Sequence, residues 1–177
     1  MRAFIALELP NRFADDVAAM ARPLSAAVEG RFVPRESYHL TLAFLGDIDE
    51  AEATRAMDAL DEAAAHGSPV PLRPAGLGKF GRATDATLWL GLAPDPALTG
   101  LAERLREELA AQGLGFDPKP FRPHLTLARR ARLPKGPLPP LVFPEPAEAA
   151  TATLFKSTLL RDGAQYKPLY AVDLAAR

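Results

Sequence analysis

Cysteine is absent from the 177 residues, which excludes disulfide staples, thiolate metal sites and a cysteine nucleophile together. A run of roughly 20 apolar residues, the length of a membrane-crossing helix, is also missing. The opening Met1-Arg2-Ala3-Phe4-Ile5-Ala6-Leu7-Glu8-Leu9-Pro10 is broken by Glu8 and Pro10 before it reaches the length of a secretory apolar core, so it reads as a strand of a cytoplasmic protein. Nor is there an excess of positive charge: the formal net charge is -1, whereas a protein held along a duplex by many phosphate contacts is strongly basic. A nucleic-acid partner would therefore be gripped at a short segment or an end.

What is present suits a globular chain, with 48% hydrophobic and 24% charged residues. The length fits one domain or two small lobes sharing a core. Asn11 is expected to cap a helix whose apolar face is Phe13, Val17, Met20 and Leu24. Asp49 and Glu52 form a capping box ahead of a second helix with Ala53, Met57, Leu60 and Ala64 inside, closed near His66-Gly67. Asp95-Pro96 opens a third, with Leu98, Leu101, Leu105 and Leu109 inside and Gly113 as its stop. Strands are expected near Arg31–Pro34, Tyr38–Leu45, Thr87–Leu92, Phe121–Ala128, Thr151–Leu160 and Tyr166–Leu174, the last two joined at Asp162-Gly163. Leu133 to Pro146 reads as a proline-rich connection, and the chain from Val70 through Gly81 is rich in proline and glycine. This order lacks the regular alternation of a doubly wound sheet, so an α+β fold with mainly antiparallel sheets is expected.

The most informative feature is an internal echo. His39-Leu40-Thr41-Leu42-Ala43 and His124-Leu125-Thr126-Leu127-Ala128 are the same five residues, 85 positions apart, and they use two of the 3 histidines. In a strand, side chains alternate faces, so His and Thr of each copy share one face while the leucines share the other. A duplicated lobe with pseudo-two-fold symmetry would bring both polar pairs to one cleft. Two imidazoles there suit a reaction that needs a general base and a general acid, because a free imidazole near pKa 6.5 exists in either form at neutral pH. Phosphodiester cleavage is such a reaction, with Thr41 and Thr126 placed to hold non-bridging phosphate oxygens.

Arg122 stands two residues before His124, where an extended chain would turn its guanidinium to the same face and toward a phosphate. Pro123 leaves the ladder short of a donor, which points to an edge position. Lys79 and Phe80 could offer a cation and a stacking ring to a base, against the alternative of a glycine-bounded strand end with a core Phe. Lys79, Arg122, Arg129 and Arg130 together could make a local basic cleft. His66, at a helix end, is assigned no function. No third ligand accompanies the two histidines at a recognisable spacing and threonine is a poor zinc ligand, so no metal is expected.

These residues resemble the two-histidine (2H) phosphoesterase superfamily, and more closely its bacterial and archaeal branch of RNA 2',3'-cyclic phosphodiesterases, also called 2'-5' RNA ligases. The resemblance runs through Arg2–Pro10, Phe32–Gly46 and Pro120–Arg129 and covers nearly the whole chain. It implies one bilobal domain over residues 1–177, two pseudo-two-fold-related lobes with a cleft between them and helices outside, and no cofactor. It implies hydrolysis of a terminal 2',3'-cyclic phosphate on RNA ends or nucleotides to a 2'-phosphate. A monomer is expected. In that family pattern His39 is the proton donor to O3' and His124 the proton acceptor that activates water. Rival readings are action on another cyclic phosphate, the reverse ligation, and a binding module that recognises a nucleotide or RNA end without turnover.

Overall fold

The computed structural model describes residues 1–174, so Ala175 to Arg177 of the expected domain lie outside the described residues. The chain opens with strand β1 (Arg2–Glu8) and helix α1 (Asn11–Ala27), then β2 (Glu29–Phe32), β3 (His39–Asp47), α2 (Glu50–Ala65), β4 (Val70–Leu72), β5 (Pro74–Arg82) and β6 (Asp85–Leu92). It continues through α3 (Pro96–Ala111), β7 (His124–Arg132), β8 (Ala147–Ala149), β9 (Thr151–Leu160) and β10 (Gly163–Asp173). Two four-stranded antiparallel sheets result, ordered β10-β9-β1-β3 and β2-β7-β6-β5, beside a small β4-β8 pair.

The two sheets repeat one plan. In the first, β1 leads through α1 to its antiparallel neighbour β3, with β9 on the other flank of β1. In the second, β6 leads through α3 to its antiparallel neighbour β7, with β5 on the other flank of β6. β3 and β7 run against each other where the sheets meet. β2 leaves its sequence neighbours to pair with β7, and the Val33 amide donates to the Leu127 carbonyl at 2.8 Å, which ties the halves together. One hydrophobic cluster draws on both sheets and all three helices, including Ile5, Leu40, Leu42, Leu60, Leu90, Leu101, Leu125 and Leu127.

Helix ends follow local chemistry at two of the three starts. Asp49 accepts from the Glu52 amide at 2.7 Å while Glu52 accepts from the Asp49 amide at 3.2 Å, and the Asp95 carboxylate accepts from the Ala97 amide at 2.9 Å ahead of Pro96. The expected Asn11 cap is displaced. Pro10 occupies the cap without a side-chain bond and Asn11 is the first helical residue. Proline's fixed extended backbone already sets the turn into the helix.

The stretch from Val70 to Gly81, rich in proline and glycine, forms β4 and β5, where the glycines serve curvature and close packing. Gly76 and Gly81 take positive φ, and a Cβ on Gly78 would lie 2.1 Å from the Trp89 ring. The strand expected from Phe121 starts at His124 and continues to Arg132. It is interior, between β2 and β6, rather than at an edge. Pro123 precedes the first ladder residue, so its missing N–H leaves no gap; of the two motif strands, β3 is the one at a sheet edge.

Candidate active site

Alternation along β3 and β7 turns Leu40, Leu42, Leu125 and Leu127 into the core and leaves His39, Thr41, His124 and Thr126 half-buried on the opposite faces. The structure therefore brings both copies of the echo to the junction of the sheets. Each histidine is fixed in the same way. Nδ1 of His39 lies 2.8 Å from the Ser37 carbonyl and Nδ1 of His124 lies 2.6 Å from the Arg122 carbonyl. A carbonyl only accepts, so each Nδ1 carries the proton and Nε2 is the nitrogen left for a substrate. The Thr41 and Thr126 hydroxyls bond to none of the described residues.

The surroundings of the two rings differ. His39 stands among Phe4 (centroids 4.7 Å apart), Phe155 (6.3 Å) and, edge to face, Tyr166 (5.1 Å). His124 meets Phe80 edge to face at 5.2 Å and Trp89 at 5.9 Å. Across the ladder His39 faces Glu8, which accepts from the buried Thr153 hydroxyl at 2.6 Å, whereas His124 faces Gly91.

Electrostatics overturn the expectation of imidazoles poised near 6.5. Burial pushes His39 down to about 4; its bond to Ser37 opposes this, and Arg129 and His124 add to the depression. His124 is lowered too, first by burial and then by Arg122 and Arg129 against its bond to the Arg122 carbonyl. Both are neutral at pH 7 in the free protein.

Two openings flank this centre. The larger, about 690 Å³, is lined by His39 together with Arg2, Phe4, Phe44, Phe116, Arg129, Ser157 and Tyr166 among others. The smaller, about 360 Å³, is lined by Phe80, Gly81, Asp85, Ala86, Thr87, Arg129 and Arg130. Arg129 borders both and forms no ion pair with the described residues.

Of the other candidates, Arg122 lies with its guanidinium 5.8 Å from the Phe80 ring centre, and Phe80 keeps 38% of its surface open. Lys79 is not brought to the site. It is paired with core-facing Leu88, opposite in alternation to Phe80, and its ammonium donates to the Gly81 carbonyl at 2.8 Å. Sequence reasoning missed Phe4, Phe44, Trp89, Phe155 and Tyr166. For Trp89 a signal existed, since alternation with buried Leu88 and Leu90 turns it away from the core. For Tyr166 none did, because only the β9-β10 pairing carries it to His39.

The chain is similar to known proteins in both sequence and fold. The family model of the 2'-5' RNA ligase superfamily matches residues 9–155. A Thermotoga maritima protein named RNA 2',3'-cyclic phosphodiesterase is 31% identical over 96% of this chain and 94% of its own length. A Geobacillus stearothermophilus protein of the same name is 34% identical over 72% of this chain, a match that spans 41% of that longer relative. Among solved structures, TT0787 of Thermus thermophilus superposes with a TM-score of 0.83 at 28% identity, covering 99% of both chains. Escherichia coli LigT complexed with 3'-AMP superposes with a TM-score of 0.77 at 30% identity, covering 98% of this chain and 97% of LigT.

Proposed function

This chain belongs to the 2'-5' RNA ligase superfamily, and from that membership and its two-histidine cleft we infer that it is an RNA 2',3'-cyclic phosphodiesterase. One observation carries the reading: two histidines on equivalent strands, each held through Nδ1 by a backbone carbonyl so that Nε2 is free.

In the proposed reaction His124 takes a proton from water through Nε2 as the water oxygen bonds to phosphorus. The P–O3' bond breaks on the far side, and His39 gives its Nε2 proton to O3', leaving a 2'-phosphate. Attacking and leaving oxygens lie roughly in line, so the ribose that keeps O3' belongs on the His39 side. The larger opening suits it, with exposed Phe44 and half-buried Phe116 and Tyr166 offering faces to a base. Thr41 and Thr126 would donate to the non-bridging oxygens, and Arg122 and Arg129 would steady the negative charge. Phe80 supplies a second aromatic face beside His124.

A general acid near 4 is the wrong species at neutral pH. The phosphate monoanion corrects it, because a negative charge beside His39 offsets the field of Arg129 and raises the imidazole pKa. The acid is therefore charged by the substrate it serves.

We read the chain as one two-lobed domain, since a single hydrophobic cluster joins both sheets, and propose that it acts as a monomer. No helix among the described residues is long and apolar enough to cross a membrane. With RNA as the proposed substrate, the cytoplasm is where we expect the activity.

The test is incubation with RNA ending in a 2',3'-cyclic phosphate, with EDTA present, and phosphorus NMR of the product. Conversion to the 2'-phosphate, insensitive to EDTA and reduced roughly 10²–10⁴-fold in His39→Ala and in His124→Ala, is expected. A 3'-phosphate product would reverse the assignment of the leaving oxygen. Absence of turnover would favour a binding module.

A further inference from the structure

The β9-β10 hairpin runs past the sheet that carries it. Pairing of β1 with β9 ends at Arg2 and Ser157, whereas β9 and β10 go on pairing to Leu160 and Gly163. Residues 158–164 therefore form a two-stranded ribbon beyond the edge of β1, and pairing alone gives such a ribbon little stability in water. Its end is apolar all the same. Leu159 keeps 76% of its surface open and Leu160 52%. Leu159 adds nothing to the core, and it lines the larger opening.

Alternation orders the face that looks into that opening. Phe155 pairs with Phe4, Ser157 with both Arg2 and Tyr166, and Leu159 with Ala164, so these side chains share one face in three successive rungs. The inner rung touches His39, with ring centroids 4.7 Å away for Phe4 and 6.3 Å for Phe155. The middle rung is polar beside Tyr166: the Arg2 guanidinium and the Ser157 hydroxyl bond to none of the described residues. The outer rung is apolar. From Phe155 to Leu159 is four strand residues, about 14 Å, which carries the face past a single nucleoside.

The order of these rungs matches the order of groups in an RNA end. A ribose whose 2' and 3' oxygens sit at the histidines turns C1' and C4' away from them, so its base and the chain attached through O5' both leave outward. The phosphate on O5' then meets the middle rung, where a guanidinium and a hydroxyl suit a phosphodiester. The nucleoside before it reaches the outer rung, where an exposed leucine gains by covering itself with the face of a base.

We propose that the overhanging end of β9-β10 is a subsite for the nucleoside that precedes the cyclic phosphate end, with Leu159 and Ala164 against its base and Arg2 and Ser157 on the phosphate that links it. The inference rests on the reading of the reaction given above. It makes an RNA end, and not a free cyclic mononucleotide, the ligand that fills the cleft.

The experiment compares three substrates: 2',3'-cyclic AMP, the dinucleotide ApA ending in a 2',3'-cyclic phosphate, and the same dinucleotide joined through a neutral methylphosphonate. The reading is the ratio of kcat/KM for dinucleotide to that for mononucleotide. The unaltered protein should favour ApA tenfold or more, through KM with kcat little changed, and the methylphosphonate should lose that advantage severalfold. Leu159→Ser removes the apolar face at a position too exposed for folding to depend on it, and should bring the ratio below threefold; Leu159→Met should keep it. A ratio near one in the unaltered protein overturns the subsite, as does a ratio that survives Leu159→Ser. Equal turnover of the two dinucleotides overturns the contact of Arg2 and Ser157 with the phosphate. Absence of turnover of all three overturns the underlying reaction as well.

Discussion

His39 should make this protein measurably sensitive to mild acid. Burial, Arg129 and His124 hold its folded-state pKa at about 4 against 6.5 for the free side chain. The unfolded chain therefore binds a proton between those values that the folded chain refuses. Stability is full above pH 6.5 and falls as the pH drops toward 4, below which the loss is complete. At about 1.4 kcal/mol per pH unit, that gap amounts to ~3.4 kcal/mol in full, and to about 2 kcal/mol between pH 7.5 and pH 5. The perturbation is His39→Gln, which keeps a polar side chain and cannot titrate. Losing the bond to the Ser37 carbonyl changes stability by a constant, which cancels when each protein is compared with itself at the two pH values. Urea unfolding at pH 7.5 and pH 5 reads the difference. The unaltered protein should lose about 2 kcal/mol more than the variant on acidification, an upper figure because the ring is partly open to the cleft. Parallel losses, within ~0.5 kcal/mol, would refute the depressed His39 and with it the argument that substrate charges the acid.

Histidine NMR should show the His39 pKa rising when 2'-AMP is added, and no change would remove the proposed substrate-assisted protonation. His124→Gln should lessen acid sensitivity in the same direction as His39→Gln, by a smaller amount in the same urea assay. Gly78→Ala places a methyl group 2.1 Å from the Trp89 ring, so urea unfolding should show a loss of about 1–3 kcal/mol with altered tryptophan emission. Leu125→Ala empties a fully buried position directly behind the cleft and should cost about 2–5 kcal/mol.

The sequence alone determined which face of each motif strand is core, and two of the three helix starts. The His-Leu-Thr-Leu-Ala echo states its own face assignment, because strand alternation is a local property, and the structure puts the leucines in the core and the histidines outside it. The Asp49-Glu52 box and the Asp95-Pro96 start were equally legible, since caps are made within a few residues. Tertiary structure decided the rest through contacts between distant segments. Pairing of β9 with β10 brings Tyr166 to His39, and packing of Trp89 on Gly78 explains a glycine that reads locally as a breaker. The depression of both histidines arises from burial and neighbouring strands. No window of sequence contains those fields, because they depend on what the fold removes from water and what it places alongside.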